Sequence, residues 1–387
     1  MTVTGIDAIS FYAPGRYVGL DTLAAQRGID PDKFSKGIGQ HLIALPGHDE
    51  DIVTLAAEAA QPLIEQAGTD GLDTLLFATE TGVDQSKSAG VYLHRLLNLP
   101  ANCRTVELKQ ACYAATPALH MACSHVARKP ARRVLVVASD VARYDLDSPG
   151  EATQGAGAVA MLVSANPRVL SLGNISGVFT EDVMDFWRPN HRRTPLFDGK
   201  YSTLRYLNAL SMAWRDYRAQ GGVEYADFAH FCFHLPFSRM GEKAHQRLAK
   251  EAKAACDLDQ AASGLIYNRV VGNTYTASLY LSVLSTLEHS ETDLADQRLG
   301  LFSYGSGAIG EFFDASVQPG YRDHLAVDRH RALLDERTPV DYDEYLSLWH
   351  AADDPVNGNI TLPDTARGRF RLASIEQDKR VYLDRLA

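Results

Sequence analysis

Short apolar runs alternate with longer stretches of helical spacing along this chain of 387 residues. Thr74-Leu-Leu-Phe-Ala-Thr79 suits a buried strand, and Val134-Leu-Val-Val-Ala-Ser139 is a stronger run, rich in β-branched residues. A third, Ala158-Val-Ala-Met-Leu-Val163, is entered through Gly155-Ala-Gly157. Between them, residues 51–65 place apolar side chains at helical spacing, with Asp49 or Asp51 as N-cap. The Ala-rich segment from Cys112 to Val126 predicts a buried helix. The second half repeats the theme. It has a strand at His230–Leu235, an amphipathic helix from Met240 to Glu251, and a strand from Leu299 ending in the turn Gly305-Ser306-Gly307, with a further strand from Ala308. Buried strands alternating with helices predict an α/β fold with helices on both sheet faces. The stretch from Asp182 to about Tyr206 is polar, aromatic and basic, and reads as an insertion or lid. The charge-rich part after Asp335 reads as surface-packed.

Charge and composition narrow the partners. Basic and acidic side chains number 38 and 48, a net charge of −10. That disfavours non-specific binding to nucleic acid or an acidic membrane, and a phosphorylated ligand would need a local basic patch. The first residues lack the basic start and apolar run of a signal peptide, and no apolar run approaches the length of a membrane span. The cysteines, Cys103, Cys112, Cys123, Cys232 and Cys256, are odd in number and show neither a CxxC pair nor zinc spacing. Reduced thiols in a cytoplasm are expected, with no metal site.

Four segments carry candidate chemistry, each at a strand end or a helix start. Glu107-Leu-Lys-Gln-Ala-Cys112-Tyr-Ala-Ala-Thr-Pro-Ala-Leu119 sets a thiol at a predicted helix N-terminus. The positive end of the helix dipole favours thiolate, and free N–H groups there can hold an oxyanion. A buried structural cysteine is the plainer alternative. Glu80 directly follows the strand 74–79, where burial would raise its pKa and make it a usable general base. A turn or capping carboxylate is the alternative. His234 leaves a strand just before Pro236 and can donate to a substrate carbonyl or orient a thiolate; a satisfied core histidine is the alternative. Arg239, Lys243 and Lys250 form a cationic fringe beside it, either a solvated helix face or a phosphate contact. Finally, Asn273 can offer a side-chain amide, and Gly305-Ser306-Gly307 lets backbone N–H groups approach a ligand. No GxGxxG or GxxxxGK[ST] fingerprint is present.

Taken together, these segments resemble the 3-hydroxy-3-methylglutaryl-CoA synthase family in its bacterial form. The resemblance runs from Gly5-Ile-Asp to Gly310-Glu-Phe. It includes Gly37-Ile-Gly-Gln40, Ala111-Cys-Tyr-Ala-Ala-Thr-Pro117, Ala142-Arg-Tyr144, Gly150-Glu-Ala-Thr-Gln-Gly-Ala-Gly157, Glu181-Asp-Val-Met-Asp-Phe-Trp-Arg-Pro189 and His234-Leu-Pro-Phe. It implies a thiolase-like α/β fold, two similar βα halves forming a layered α-β-α-β-α core. Residues 1–165 would carry Glu80 and Cys112, and residues 166–387 would carry His234, Asn273 and Ser306. It further implies Cys112 as acylated nucleophile, Glu80 as base and acid, and His234 as the group orienting the second substrate. Tyr144, Thr153, Asn273 and Ser306 match pocket positions, and Lys243 is added as a contact for the CoA tail. Asp84, Asp140 and Asp185 match acidic positions that support activity. CoA thioesters are the implied substrates, a homodimer the implied assembly, and no cofactor, nucleic acid or membrane is implied. The implied reaction condenses acetyl-CoA with acetoacetyl-CoA for the mevalonate (isoprenoid) pathway.

Three alternatives stand beside this expectation. Some relatives act on a β-ketoacyl group carried by an acyl carrier protein in polyketide β-branching, with the same local chemistry. Thiolases and ketoacyl synthases pair their cysteine with two histidines or with histidine and asparagine, so Glu80 separates them. A catalytically silent scaffold would not need Glu80, Cys112 and His234 together.

Overall fold

The computed structural model describes residues 2–351 and 358–386. Strands that are apolar throughout need cover on both faces, and here they receive it. In Arg133–Ala142, Val134, Val136 and Ala138 face one core while Leu135 and Val137 face another. Gly155–Ala165 does the same, with Val159 and Met161 on one side and Ala160 and Leu162 on the other.

Hydrogen bonds link nine strands in the order His230–Phe233, Arg298–Gly305, Ile309–Val317, Leu170–Thr180, Thr4–Tyr12, Gly155–Ala165, Arg133–Ala142, Leu72–Ala78 and Arg104–Leu108. The joint in the middle is narrow: Thr4–Tyr12 and Leu170–Thr180 share the pairs Gly5↔Ser171 and Ile6↔Leu170. A Cβ on Gly5 would lie 2.0 Å from the Leu170 carbonyl oxygen, so this crossing requires glycine. On either side of the joint one pattern recurs. Outward from Thr4–Tyr12 the pairings run antiparallel, antiparallel, parallel, and so they do outward from Leu170–Thr180. Arg104–Leu108 adds one more parallel strand at the first edge.

Helices fill the layers. Ala115–Arg128 and Ser278–His289 share one core with strand residues of both halves, such as Val136, Met161, Leu301 and Phe313. Ile52–Ala67 covers the outer face of the first half, and Gly199–Ala219 that of the second. The succession is helix, sheet, helix, sheet, helix, the thiolase-like arrangement expected from sequence. Each fully buried leucine of the inner helix Ser278–His289 contributes about 1.5–3 kcal/mol.

Local chemistry sets the helix bounds. Asp51, not Asp49, caps Ile52–Ala67, in a capping box with Thr54. Pro62 inside this helix cannot donate to the Glu58 carbonyl, and Arg329 donates there instead, at 3.3 Å. Asp49 is buried and pairs with Arg371 at 3.2 Å.

The C-terminal part is more than a surface layer, which corrects the sequence expectation. Phe370–Glu376 and Lys379–Asp384 pack on the helix Ile52–Ala67, where the Tyr382 hydroxyl donates to Asp51 at 2.6 Å. In helix Tyr342–Ala351, Tyr345 is fully buried and donates to Glu151 at 2.6 Å. Aromatic side chains with satisfied hydroxyls pull these polar segments into the core. Residues 352–357 of this part lie outside the described residues.

Candidate active site

The parallel strands Leu72–Ala78, Arg104–Leu108 and Arg133–Ala142 end on the same side of the sheet, so the residues that close them meet there. Glu80 follows the first, Cys112 the second, and Asp140 lies near the end of the third. The Cys112 thiol donates to Glu80 Oε2, with sulfur and oxygen 3.0 Å apart. Ala111, just before the cysteine, has φ of +43°, a tight left-handed kink between strand and helix.

The electrostatics of this pair differ from the expectation of a helix-stabilised thiolate. Helix Ala115–Arg128 begins three residues after the cysteine rather than at it. Burial, then the neighbouring Glu80 and Asp140 carboxylates, push the Cys112 thiol well above its ordinary pKa. Two close carboxylates and lost solvent outweigh a dipole whose effect fades within one turn. Glu80 is itself pushed up to about 8, first by burial and then by Asp140, while its hydrogen bond from Cys112 and the charge of Arg188 pull the other way. Thiol and carboxyl therefore hold their protons against a nearby anion, and Glu80 is poised to exchange one near neutral pH.

Asp140 is the hub beneath Glu80. Its Oδ1 accepts from the Thr79 hydroxyl at 2.7 Å, from the Glu80 and Thr81 N–H groups at 2.9 and 3.0 Å, and from the Thr81 hydroxyl at 2.6 Å. Its Oδ2 accepts from the Thr276 N–H at 3.0 Å and from the Thr276 hydroxyl. Residues of both halves thus converge on one buried carboxylate. Asp185 does the equivalent for the second half. It is fully buried and accepts from Tyr304 at 2.8 Å, Ser202 at 3.0 Å and the Gly307 N–H at 2.9 Å. The segment read as a lid is therefore pinned at its start. It forms the small hairpin Phe186–Trp187 with Leu196–Phe197, then enters the helix Gly199–Ala219.

The turn at Ser306 presses on the cysteine turn. A Cβ on Gly305 would lie 2.6 Å from the Gln110 carbonyl oxygen and 2.7 Å from Tyr113 Cβ, so glycine permits the approach. Gln110 Nε2 donates to the Ser306 carbonyl at 3.4 Å. Tyr144 and Thr153 lie on the other flank. The Tyr144 phenol, its pKa raised chiefly by burial, is close enough to feel the charges of Cys112 and Glu80, and it borders Tyr275 and Thr153. The Asn273 N–H donates to the Thr153 carbonyl at 3.2 Å, and Asn273 Oδ1 accepts from the Tyr275 N–H at 2.9 Å.

His234 is 3 % exposed, and burial depresses its pKa to about 3, so the imidazole is neutral. Its Nδ1 meets no hydrogen-bond partner among the described residues. Its carbonyl accepts from Tyr206 at 2.7 Å, and the Tyr206 ring packs on Tyr304, which binds Asp185.

Two candidates stand apart. Asp84 is exposed and spends its carboxylate on the N–H groups of Ser86 and Lys87, both at 2.7 Å. This is turn chemistry. Lys243 is exposed on helix Ser238–Ala252, over the ring of Phe237 at 5.2 Å. Among the described residues, no contact ties either of them to the Glu80–Cys112 pair. Sequence reasoning missed Tyr275, Thr276 and Arg188. Arg188 donates to the Glu80 carbonyl, and the signal for it was its place in the polar segment 182–206.

A family model described as hydroxymethylglutaryl-coenzyme A synthase N terminal matches residues 2–168, and its C-terminal counterpart matches residues 170–256 and 250–357. A hydroxymethylglutaryl-CoA synthase of Enterococcus faecalis is 44% identical over 387 residues, covering 99% of this chain and 100% of its own length. A crystal structure of an HMG-CoA synthase complexed with CoA superposes with a TM-score of 0.94 at 38% identity, covering 99% of this chain and 100% of that one. The HMG synthase of the curacin biosynthetic pathway, solved with an acetyl donor acyl carrier protein, gives 0.93 at 31% identity, with 99% and 100% coverage.

Proposed function

Because this chain belongs to the hydroxymethylglutaryl-CoA synthase family, we propose that it joins acetyl-CoA, acetoacetyl-CoA and water into 3-hydroxy-3-methylglutaryl-CoA and free CoA. The observation that carries the residue roles is the 3.0 Å contact between the Cys112 thiol and a Glu80 carboxyl poised near pH 8.

The chemistry follows from that pair. Cys112 attacks the acetyl thioester as Glu80 takes its proton, so no standing thiolate is needed. CoA leaves with a proton, and acetyl-Cys112 remains, one hard step split into two. The N–H groups of Cys112 and Ser306, on two turns that Gly305 lets approach, would receive the thioester oxygen. Glu80, ionised again, removes a methyl proton, and the enolate carbon adds to the ketone of acetoacetyl-CoA. His234, a neutral imidazole, donates a hydrogen bond to that ketone oxygen, as Asn273 also can. Protonated Glu80 then neutralises the new alkoxide, and water cleaves the Cys112 thioester. Every step runs on side chains, backbone and water, without a metal, nucleotide or redox cofactor. Tyr144 and Thr153 line the acyl pocket; Asp140 and Asp185 brace it. Lys243, exposed, meets the CoA tail. The division near residue 165 leaves Glu80 and Cys112 in one part and His234, Asn273 and Ser306 in the other. Among the described residues no helix is long and apolar enough to cross a membrane; the protein acts in the cytoplasm as a homodimer.

The test incubates the protein with both CoA thioesters and identifies products by mass. Product lost in Cys112→Ser is expected, and in Glu80→Ala a Cys112 that still becomes acetylated, but more slowly for want of its proton acceptor, without condensation. An acetylated cysteine with no product in the wild type would point to an acceptor on a carrier protein, as in the curacin relative. Condensation unchanged in Glu80→Ala would remove Glu80 from the base role.

A further inference from the structure

We propose that Arg188 is a positioning residue for this reaction: reaching across from the C-terminal half, it fixes the loop that carries Glu80 and supplies the positive charge facing the Glu80, Cys112 and Asp140 group. The inference rests on the reading of Glu80 as base and acid given above.

Arg188 Nη2 donates to the main-chain carbonyl of Glu80, a bond that spans the two halves. Arg188 forms no salt bridge of its own among the described residues, so no nearer carboxylate claims its charge. The chain leading into it is held. Asp185 anchors the chain three residues earlier through Tyr304, Ser202 and the Gly307 N–H. Phe186–Trp187 then pairs with Leu196–Phe197 immediately before Arg188. The Val183 N–H donates to the Gly307 carbonyl at 2.8 Å, which ties the same segment to the Ser306 turn. One segment therefore links the turn that would hold the thioester oxygen to the loop that holds the base.

The charge balance gives the link a purpose. The groups facing the Glu80 carboxyl are the Cys112 thiol, the buried Asp140 carboxylate, the Tyr144 and Tyr275 phenols and the Arg188 guanidinium. Burial and Asp140 both keep a proton on Glu80, and Arg188 is the cation that opposes them. A base must release its proton between turns of the cycle, so the opposing charge has a direct kinetic use. Because that charge arrives on the 182–206 segment, Glu80 is a competent base only when this segment is seated.

Two variants separate charge from tether. Arg188→Gln keeps a donor for the Glu80 carbonyl and loses the charge; Arg188→Lys keeps the charge. In substrate-free protein, the pH dependence of Cys112 alkylation by iodoacetamide, read on the Cys112 peptide by mass, reports the titration of the Cys112–Glu80 pair. The expected result is an inflection moved up by about one pH unit in Arg188→Gln, with the wild-type position kept in Arg188→Lys. The acid limb of the condensation rate should move in the same direction. An unmoved inflection in Arg188→Gln, or an equal shift in Arg188→Lys, overturns the proposal and leaves Arg188 a structural tie. Wild-type protein that yields no condensation product fails the reading of the preceding section instead, and the alkylation comparison still decides Arg188.

Discussion

Replacing Glu80 by glutamine should make the protein inactive and more stable, by an amount that grows with pH. The carboxyl is ordinarily half ionised near 4.5, and in the folded protein near 8. Between those values the native state holds a proton that the unfolded chain has released. Stability therefore falls as pH rises through this window, by up to about 1.4 kcal/mol per pH unit. The contribution is fully present below pH 4.5 and lost above about 8. At pH 7 the accumulated cost is about 3 kcal/mol, and above pH 8 it levels off at about 4–5 kcal/mol. Glutamine does not titrate, fills nearly the same volume, and still offers an oxygen to the Cys112 thiol. Urea unfolding of the wild type and Glu80→Gln at pH 5, 6, 7 and 8 measures the gap directly. It should be small at pH 5 and largest at pH 8. A gap that does not change with pH, or a variant less stable than wild type at pH 8, would show that Glu80 is not held protonated by its surroundings. The reasoning about the base would then fail with it.

Asp140→Asn keeps one acceptor oxygen for Glu80 and Thr81 but turns an amide toward the Thr276 N–H, which has no other acceptor among the described residues. A stability loss of about 1–3 kcal/mol in urea unfolding is expected, together with an acid limb of the condensation rate moved to lower pH, because Glu80 loses an adjacent anion. Gly305→Ala should lower kcat at least about tenfold in the condensation assay, since its Cβ would force the Ser306 turn away from the cysteine turn; an unchanged kcat would show that the approach is not needed. Arg371→Ala removes the nearest guanidinium from the buried Asp49 carboxylate and leaves it Thr365 and, at 4.0 Å, Arg385, which should cost about 1–3 kcal/mol in unfolding and leave kcat and KM unchanged.

Much of the framework was legible because it rests on local pattern. The runs at 74–79, 134–139 and 158–163 became strands Leu72–Ala78, Arg133–Ala142 and Gly155–Ala165, since an apolar run of that length has nowhere to go but a covered sheet. Residues 240–251 became the helix Ser238–Ala252 through the spacing of Met240, Ala244 and Leu248. Placement of Glu80 and Cys112 at strand ends was readable for the same reason. Their protonation was not. The carboxylates that hold up the Cys112 thiol come from positions 80 and 140, and sequence shows a helix start but not which charges fold against it. Asp84 and Asp140 look alike as acids near strand ends; three loop residues separate Asp84 from Glu80, while Asp140 still lies within its strand. Arg188 and Tyr275 act across the two halves, and no local period announces such partners.

The narrow joint at Gly5 and the shared middle layer also bear on how a growing chain matures. The helix that follows Cys112 shares its core with residues 267–321, which leave the ribosome well after it. Until they arrive, the nascent first half presents an uncovered greasy face, a stage at which holding by chaperones matters and at which a fragment ending near residue 168 would clump. The thiol meets Glu80 early, but the Thr276, Asn273 and Ser306 side of its chamber is made last. The chamber around the thiol is thereby complete only once residues 273–306 have folded against it.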